Sequence, residues 1–324
     1  MSVKHTNLIV SSSPHVCNPT DTASIMRDVA IALMPALGCA IYVFGLRALL
    51  LTLVCVAASV FFEWAYEKAL KKPITTGDWS AVVTGIILAF NVPAGLPFWM
   101  AIIGCFVAIV IVKQLFGGLG QNFANPALVG RIVLFVGFST AMTTWPITSR
   151  MNEVVLANAA ADAVTGATPL ALAANGTMVP NLDMFLGFIP GSMGEISALA
   201  LLIGGAYLVI RKVISPAIPV SYLGTVAVLA LLFGQDPIFN LCAGGVMLGA
   251  IFMATDYVTS PITTSGKIIF GIGCGFFTMV IRTFGAYPEG ASFAILLMNI
   301  LTPHIDNWTR HHINGVEKKK GGAK

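Results

Sequence analysis

Charge is what this chain has least of. Asp, Glu, Lys and Arg together make up 10% of its 324 residues, against roughly a quarter in soluble domains. A hydrophobic fraction of 56% and a mean hydropathy of +0.86 accompany that scarcity and exclude an ordinary soluble enzyme. Clustered cysteine is lacking too: Cys17, Cys39, Cys55, Cys105, Cys242 and Cys274 lie far apart and none forms a C-x-x-C pair, so a zinc or iron-sulfur site built by this chain alone is not expected. Most of these cysteines fall inside apolar blocks, where the residue behaves as a small hydrophobe. The five histidines are dispersed except for His311 and His312 in a Lys-rich tail. There is no Gly-x-Gly-x-x-Gly following a strand and no soluble segment large enough to bind a dinucleotide. No nucleic-acid partner is expected. The first 28 residues are polar, with Ser11, Ser12, Ser13 and Pro14, and read as a tail rather than a cleavable signal.

What remains is a series of apolar blocks of helix-spanning length, which fits a helical bundle and not an outer-membrane barrel. The expected fold class is an all-α polytopic membrane protein with about ten transmembrane helices. The spans run approximately Val29 to Leu46, Ala48 to Tyr66, Trp79 to Val92, Phe98 to Val112, Pro126 to Ala141, Gly194 to Ile210, Ala217 to Phe233, Ile238 to Ala254, Lys267 to Val280 and Gly290 to Leu301. The third and tenth are short, as expected of tilting little or of broken helices packed against protein.

Lys and Arg flanking a span stay preferentially on the cytoplasmic side. With the N-terminus inside, fifteen of the eighteen basic residues fall on that side, Lys113 and Arg131 among them, and only Arg47, Arg150 and Arg282 fall outside. The expected organisation is therefore a cytoplasmic tail (1–28), a first transmembrane half (29–141), an extracytoplasmic loop (142–193), a second half (194–303) and a cytoplasmic basic tail (304–324) drawn to anionic lipid. An internal echo supports two halves. Thr84-Gly85-Ile-Ile-Leu88, a break at Asn91 to Pro97 and Lys113-x-x-Phe116-Gly117 resemble Gly244-Gly245-Val-Met-Leu248, a break at Thr255 to Pro261 and Arg282-x-Phe284-Gly285. Copies five spans apart face opposite sides, the pattern of a five-plus-five inverted repeat with broken helices around an intramembrane site.

Three stretches bear on chemistry. In the outward loop, Asp162-Ala163-Val164-Thr165-Gly166-Ala167-Thr168-Pro169 reads as a turn that displays the Thr168 hydroxyl to a modifying enzyme; an ordinary Thr-Gly turn is the plainer reading. On the inner side, Gly117 to Ala127 carries Asn122 and Asn125 ahead of Pro126, a good first residue for a helix. Its unpaired N-H groups suit an anionic or electron-rich ligand, and the two asparagines suit the edge of a ring; a plain helix cap weighs equally. Asp256 and Lys267 flank the break between the eighth and ninth spans, which makes Asp256 an ion-pathway candidate or an interfacial cap. Glu63 and Glu67, one turn apart near Lys68, Lys71 and Lys72, read as a solvated face.

The run Asp162-x-x-Thr165-Gly166-Ala167-Thr168 resembles the signature by which a flavin transferase esterifies a threonine through the phosphate of flavin mononucleotide (FMN), with threonine at 165 where serine is common. Gly117-Gly118-Leu-Gly120-Gln121-Asn122-x-x-Asn125-Pro126-Ala127, Ser12-Ser13-Pro14-His15, Ala254-Thr255-Asp256 with Thr259-Ser260-Pro261, and Arg282-Thr-Phe-Gly-Ala-Tyr287-Pro288 are similar to the D subunit of the Rnf electron-transport complex. They are also similar to the related B subunit of the sodium-pumping NADH:quinone reductase. The resemblance covers nearly the whole chain. It implies a bacterial cytoplasmic-membrane subunit with covalent FMN on Thr168 and a second, noncovalent flavin, riboflavin, whose contacts spacing does not assign. It also implies electron relay from a second covalent flavoprotein subunit of the complex, coupled to sodium or proton movement between ferredoxin and NAD. Iron-sulfur centres and nucleotide sites then sit on partner subunits. Composition and repeat alone do not exclude a stand-alone transporter or channel, nor an assembly scaffold with a merely structural loop; the attachment signature separates these from a flavin carrier.

Overall fold

The computed structural model describes residues 21–148, 151, 165–174, 179–285 and 289–310. Asp162 lies outside the described residues, as do residues 1–20 and 311–324; the expected tails are corrected where they are described, since residues 22–28 belong to the first helix and residues 304–309 to the last. The described residues are overwhelmingly helical, with one two-stranded ribbon.

Helix α1 (Thr22–Phe44) starts where Asp21 accepts the Thr22 N-H at 2.7 Å, and Gly45 at φ 75° breaks it from α2 (Leu46–Ala69). Then come α3 (Ser80–Phe90), α4 (Phe98–Gln114), α5 (Pro126–Gly137) and a single turn α6 (Ser139–Met142). Within α4, residues Val107–Gln114 are wound as a π-helix, a winding often found at functional sites. The second series begins with α7 (Pro169–Ala174) and α8 (Asn181–Leu186) in the loop. It continues with α9 (Ala198–Ile210), α10 (Ala217–Leu232), α11 (Pro237–Cys242), α12 (Val246–Leu248, prolonged as a π-helix over Gly249–Met253), α13 (Thr264–Phe284) and α14 (Ala291–Thr309).

By length and composition α1, α2 and α13 can cross a membrane unaided, and α3, α4, α5, α9 and α10 are shorter apolar helices. Many of their large side chains face outward, among them Leu46, Ile203, Val220 and Phe276, as suits helices bathed in hydrocarbon. Close helix approach relies on small residues: a Cβ on Gly85 of α3 would lie 2.8 Å from the Val56 backbone of α2.

The expected spans need several corrections. The third needs none: it is the short, 11-residue helix α3, buried on nearly every side. The eighth is not one helix, because Gly244 and Gly245 adopt φ of 62° and 70° and split α11 from α12; only glycine takes that conformation without strain. The tenth is not short: α14 runs 19 residues and continues through Pro303. Within the loop, β1 (Trp145–Pro146) pairs antiparallel with β2 (Thr165–Gly166). A small apolar cluster of Leu170, Leu172, Val179, Met184 and Phe239 fastens α7 and α8 to α11.

Candidate functional site

Pairing of Trp145 with Gly166 and of Pro146 with Thr165 delivers the chain to Thr168. Thr168 sits just before α7, and its hydroxyl accepts the Ala171 N-H at 3.3 Å while its carbonyl accepts that of Leu172 at 2.9 Å. Its relative exposure is 7%. The expected display of an accessible hydroxyl is therefore corrected: Pro169 begins a helical turn, and the threonine folds over it as a cap. Ala167 is exposed and Gly166 half-buried, with a Cβ on Gly166 blocked by Ile147 at 2.7 Å. Beside the ribbon opens a cavity of about 390 Å³ lined by Phe44, Arg47, Gly95, Pro97, Pro146 and Thr148. Arg47 closes one wall by donating to the carbonyls of Ala94 and Gly95 at 3.0 and 2.8 Å.

The loop is also tied down by Asp236, which caps α11 through the Ile238 N-H at 2.9 Å and takes the Asn181 carboxamide at 2.6 Å. Those hydrogen bonds, Asn181 first, hold its carboxyl below the usual range.

A second cavity, about 330 Å³, lies between the two helical series and brings together Ser80, Thr84, Lys113, Asn122, Asn125 and Asp256. Asn125 caps α5 by accepting the Ala127 N-H at 3.1 Å and also donates to the Met253 carbonyl at the end of α12, at 3.3 Å. Asn122 donates to the Ala124 carbonyl at 3.1 Å. The cap is thus present, and it coexists with a position on the cavity wall. Positive φ at Gly117, Gly118 and Gly120 lets this segment fold back over the cavity. Asp256 accepts the Thr259 hydroxyl at 3.1 Å. Lys267 does not join this group; it lies in the first turn of α13.

Two charged clusters were not expected. Glu63 and Glu67 are not a solvated face: their exposures are 0% and 2%. Glu63 is ion-paired with buried Lys113, which also reaches Ser80, while Gln114 donates to Glu63 at 3.0 Å. Arg131, expected on the cytoplasmic flank, instead lies inside the bundle at 5% exposure. It donates to Glu289 at 2.9 Å and Asn91 at 3.2 Å, also bonds Ser292, and has Glu195 at 3.7 Å. Arg282 donates to the carbonyls of Asn240 and Ala243, both at 2.6 Å. The available signal was ionisable residues inside apolar blocks, which are costly unless paired. Among the described residues no group of three or more His, Cys, Asp or Glu is placed to hold a metal ion.

Helices that break around buried ion pairs and polar cavities define a multi-span helical membrane protein. The chain belongs to the NQR2, RnfD, RnfE family, whose model matches residues 9–315. It is 54% identical over 326 residues to the D subunit of the Na(+)-translocating ferredoxin:NAD(+) oxidoreductase complex of Acetobacterium woodii, covering 98% of each chain. It is 42% identical to the D subunit of the proton-translocating complex of Clostridium ljungdahlii, over 95% of this chain and 96% of that one. Identity to the D subunit of the ion-translocating oxidoreductase complex of Halorhodospira halophila is 38%, over 94% of each.

Proposed function

We propose that this chain is the flavin-bearing membrane subunit of an ion-translocating ferredoxin:NAD oxidoreductase complex, relaying electrons and coupling them to sodium or proton transport. The observation that carries the reading is end-to-end similarity to proteins of that name, joined to the attachment signature ending at Thr168. FMN supplies one- and two-electron chemistry, and the protein supplies orientation and electrostatics.

The described residues fit an esterified flavin in two respects. The Thr168 oxygen accepts from the Ala171 N-H, a role an ester oxygen keeps. The cavity bounded by Pro146, the strand partner of Thr165, offers a mainly apolar wall with the Arg47 side chain on it. Burial of Thr168 implies that a flavin transferase acts before α7 docks. In the inner cavity, Asn122 and Asn125 would hold the noncovalent flavin, riboflavin, and Asp256 stands on the ion pathway.

In this reading the chain spans the bacterial cytoplasmic membrane ten times in a five-plus-five inverted repeat, with both termini cytoplasmic and the FMN loop outside. The half-helices α3 and α12, each leading into a break, support that arrangement. Partners are the other complex subunits, including the second covalent FMN subunit. Mass spectrometry of the peptide containing Thr168, from chain co-expressed with its transferase, tests the reading. A peptide heavier by one FMN less one water supports it, and an unmodified peptide favours a channel or transporter.

A further inference from the structure

Glu63 presents an asymmetry. Its Oε1 takes both the Lys113 ammonium and the Gln114 carboxamide, whereas Oε2, fully buried, has no hydrogen-bond partner among the described residues. Ser59, one turn away on the same face of α2 and equally buried, is turned toward Cys105 on α4. A bare carboxylate oxygen in such a place is costly and is a seat for a proton. Two oxygens are too few for a hard metal ion, which takes about six or more.

The surroundings connect this seat in both directions. Glu67, roughly 6 Å along α2, shares Gln114 with Glu63 at 3.4 Å. Glu67 and Gln114 line a vestibule of about 650 Å³ on the face carrying Lys72. On the other side Lys113 and Ser80 line the inner cavity. Charged groups facing the pair are Glu67 on α2, Asp78 before α3, and Asp21 and Lys72 at the vestibule; Cys105 on α4 faces Ser59. Two adjacent residues, Lys113 and Gln114, meet the same carboxylate from the π-wound end of α4.

We propose that Glu63 and Lys113 form a proton-exchange pair that carries protons between the vestibule and the inner cavity. To deliver a proton into the cavity, an Nζ-H bond of Lys113 breaks on the Ser80 side and leaves a neutral amine; a reduced flavin ring held there would be the acceptor. Vestibule water then protonates Glu67, leaving hydroxide to the buffer, and Glu67 passes that proton one turn along α2 to Oε2 of Glu63. Rotation of the carboxyl hands that proton to Lys113 and restores the ion pair. No electron moves in these steps. The inference rests on the redox reading of the inner cavity given above.

The test is rapid-mixing reduction of the bound flavin in the purified whole complex, across pH, in H2O and D2O. Glu63→Gln is expected to slow the proton-coupled phase by about 100-fold, with recovery on adding formate and with Glu63→Asp retaining a pH-dependent rate. A Glu63→Gln complex with wild-type rate and isotope effect overturns the proposal. So does slowing that neither formate nor Glu63→Asp relieves, because that is a structural role. If Glu63→Gln fails to assemble, Glu67→Gln decides: loss of the carboxyl between vestibule and Glu63 is expected to slow the same phase by at least about 10-fold, and a wild-type rate overturns the proposal. Flavin content is scored separately, so a flavin-free wild-type complex sinks the underlying reading, whereas a flavin-loaded, wild-type-like Glu63→Gln sinks the relay alone.

Discussion

Arg131 and Glu289 meet at 2.9 Å across 158 positions of sequence, the guanidinium on α5 donating to a carboxylate just ahead of α14. Asn91, at the end of α3, completes the same cluster, so one side chain ties elements of the first helical series to the second. Removing it leaves a buried carboxylate unpaired. Arg131→Met is expected to destabilise the protein by roughly 3–5 kcal/mol, and Arg131→Met with Glu289→Gln by clearly less. Thermal melts in detergent check this; equal losses in the single and double variants would contradict the coupling.

Gly245 holds φ at 70°, and a Cβ there would lie 2.7 Å from a Glu195 carboxylate oxygen. Gly245→Ala therefore meets both backbone strain and a clash. A loss of about 1–3 kcal/mol is expected, read as a lowered melting temperature, while alanine at Gly224, where nothing lies within 4 Å of the added carbon, should leave it unchanged or raise it.

Asp236 supplies a pH dependence whose sign follows from its hydrogen bonds. Its folded-state carboxyl is held down by Asn181 and the Ile238 amide, so its contribution is full above the unfolded value of about 3.9 and is lost as pH falls through the lower folded value. Hydrogen exchange at α11 should accelerate with acidification beyond the intrinsic rate change in wild-type protein. Asp236→Asn, which still caps a helix, should flatten that response.

Topology yields to surface labelling. Leu182 in α8 and Ile74 between α2 and α3 are both exposed, and the proposed arrangement puts them on opposite sides. A cysteine at Leu182 should react with a membrane-impermeant reagent in intact cells, and one at Ile74 only after lysis. The reverse pattern would invert the arrangement.

The class of fold was legible because hydrocarbon-spanning helices advertise themselves by composition, and the cap at Asn125-Pro126 by local chemistry. Breaks inside spans were less so: the Gly244-Gly245 pair that divides the eighth block differs from packing glycines such as Gly85 only in φ, which residue type does not reveal. The charged clusters were missed for a related reason. Glu63 and Lys113 stand 50 positions apart, and Arg131 and Glu289 further still, so Glu63, Lys113 and Arg131 read as surface or flank charges until tertiary packing paired them. The inner cavity brings together Asn122, Asn125 and Asp256, which the sequence singled out in two separate stretches, with Ser80 and Lys113, which it did not connect to them. Thr168 was found by motif, but its burial follows from α7, a six-residue helix too short to show a period.

Covalent flavin on Thr168 is the central claim, and in-gel fluorescence measures it most directly. The chain, co-expressed with its flavin transferase, is run on a denaturing gel under ultraviolet light beside Thr168→Val. A fluorescent wild-type band with a dark Thr168→Val band is the predicted result; a dark wild-type band, or equal fluorescence in both, contradicts it.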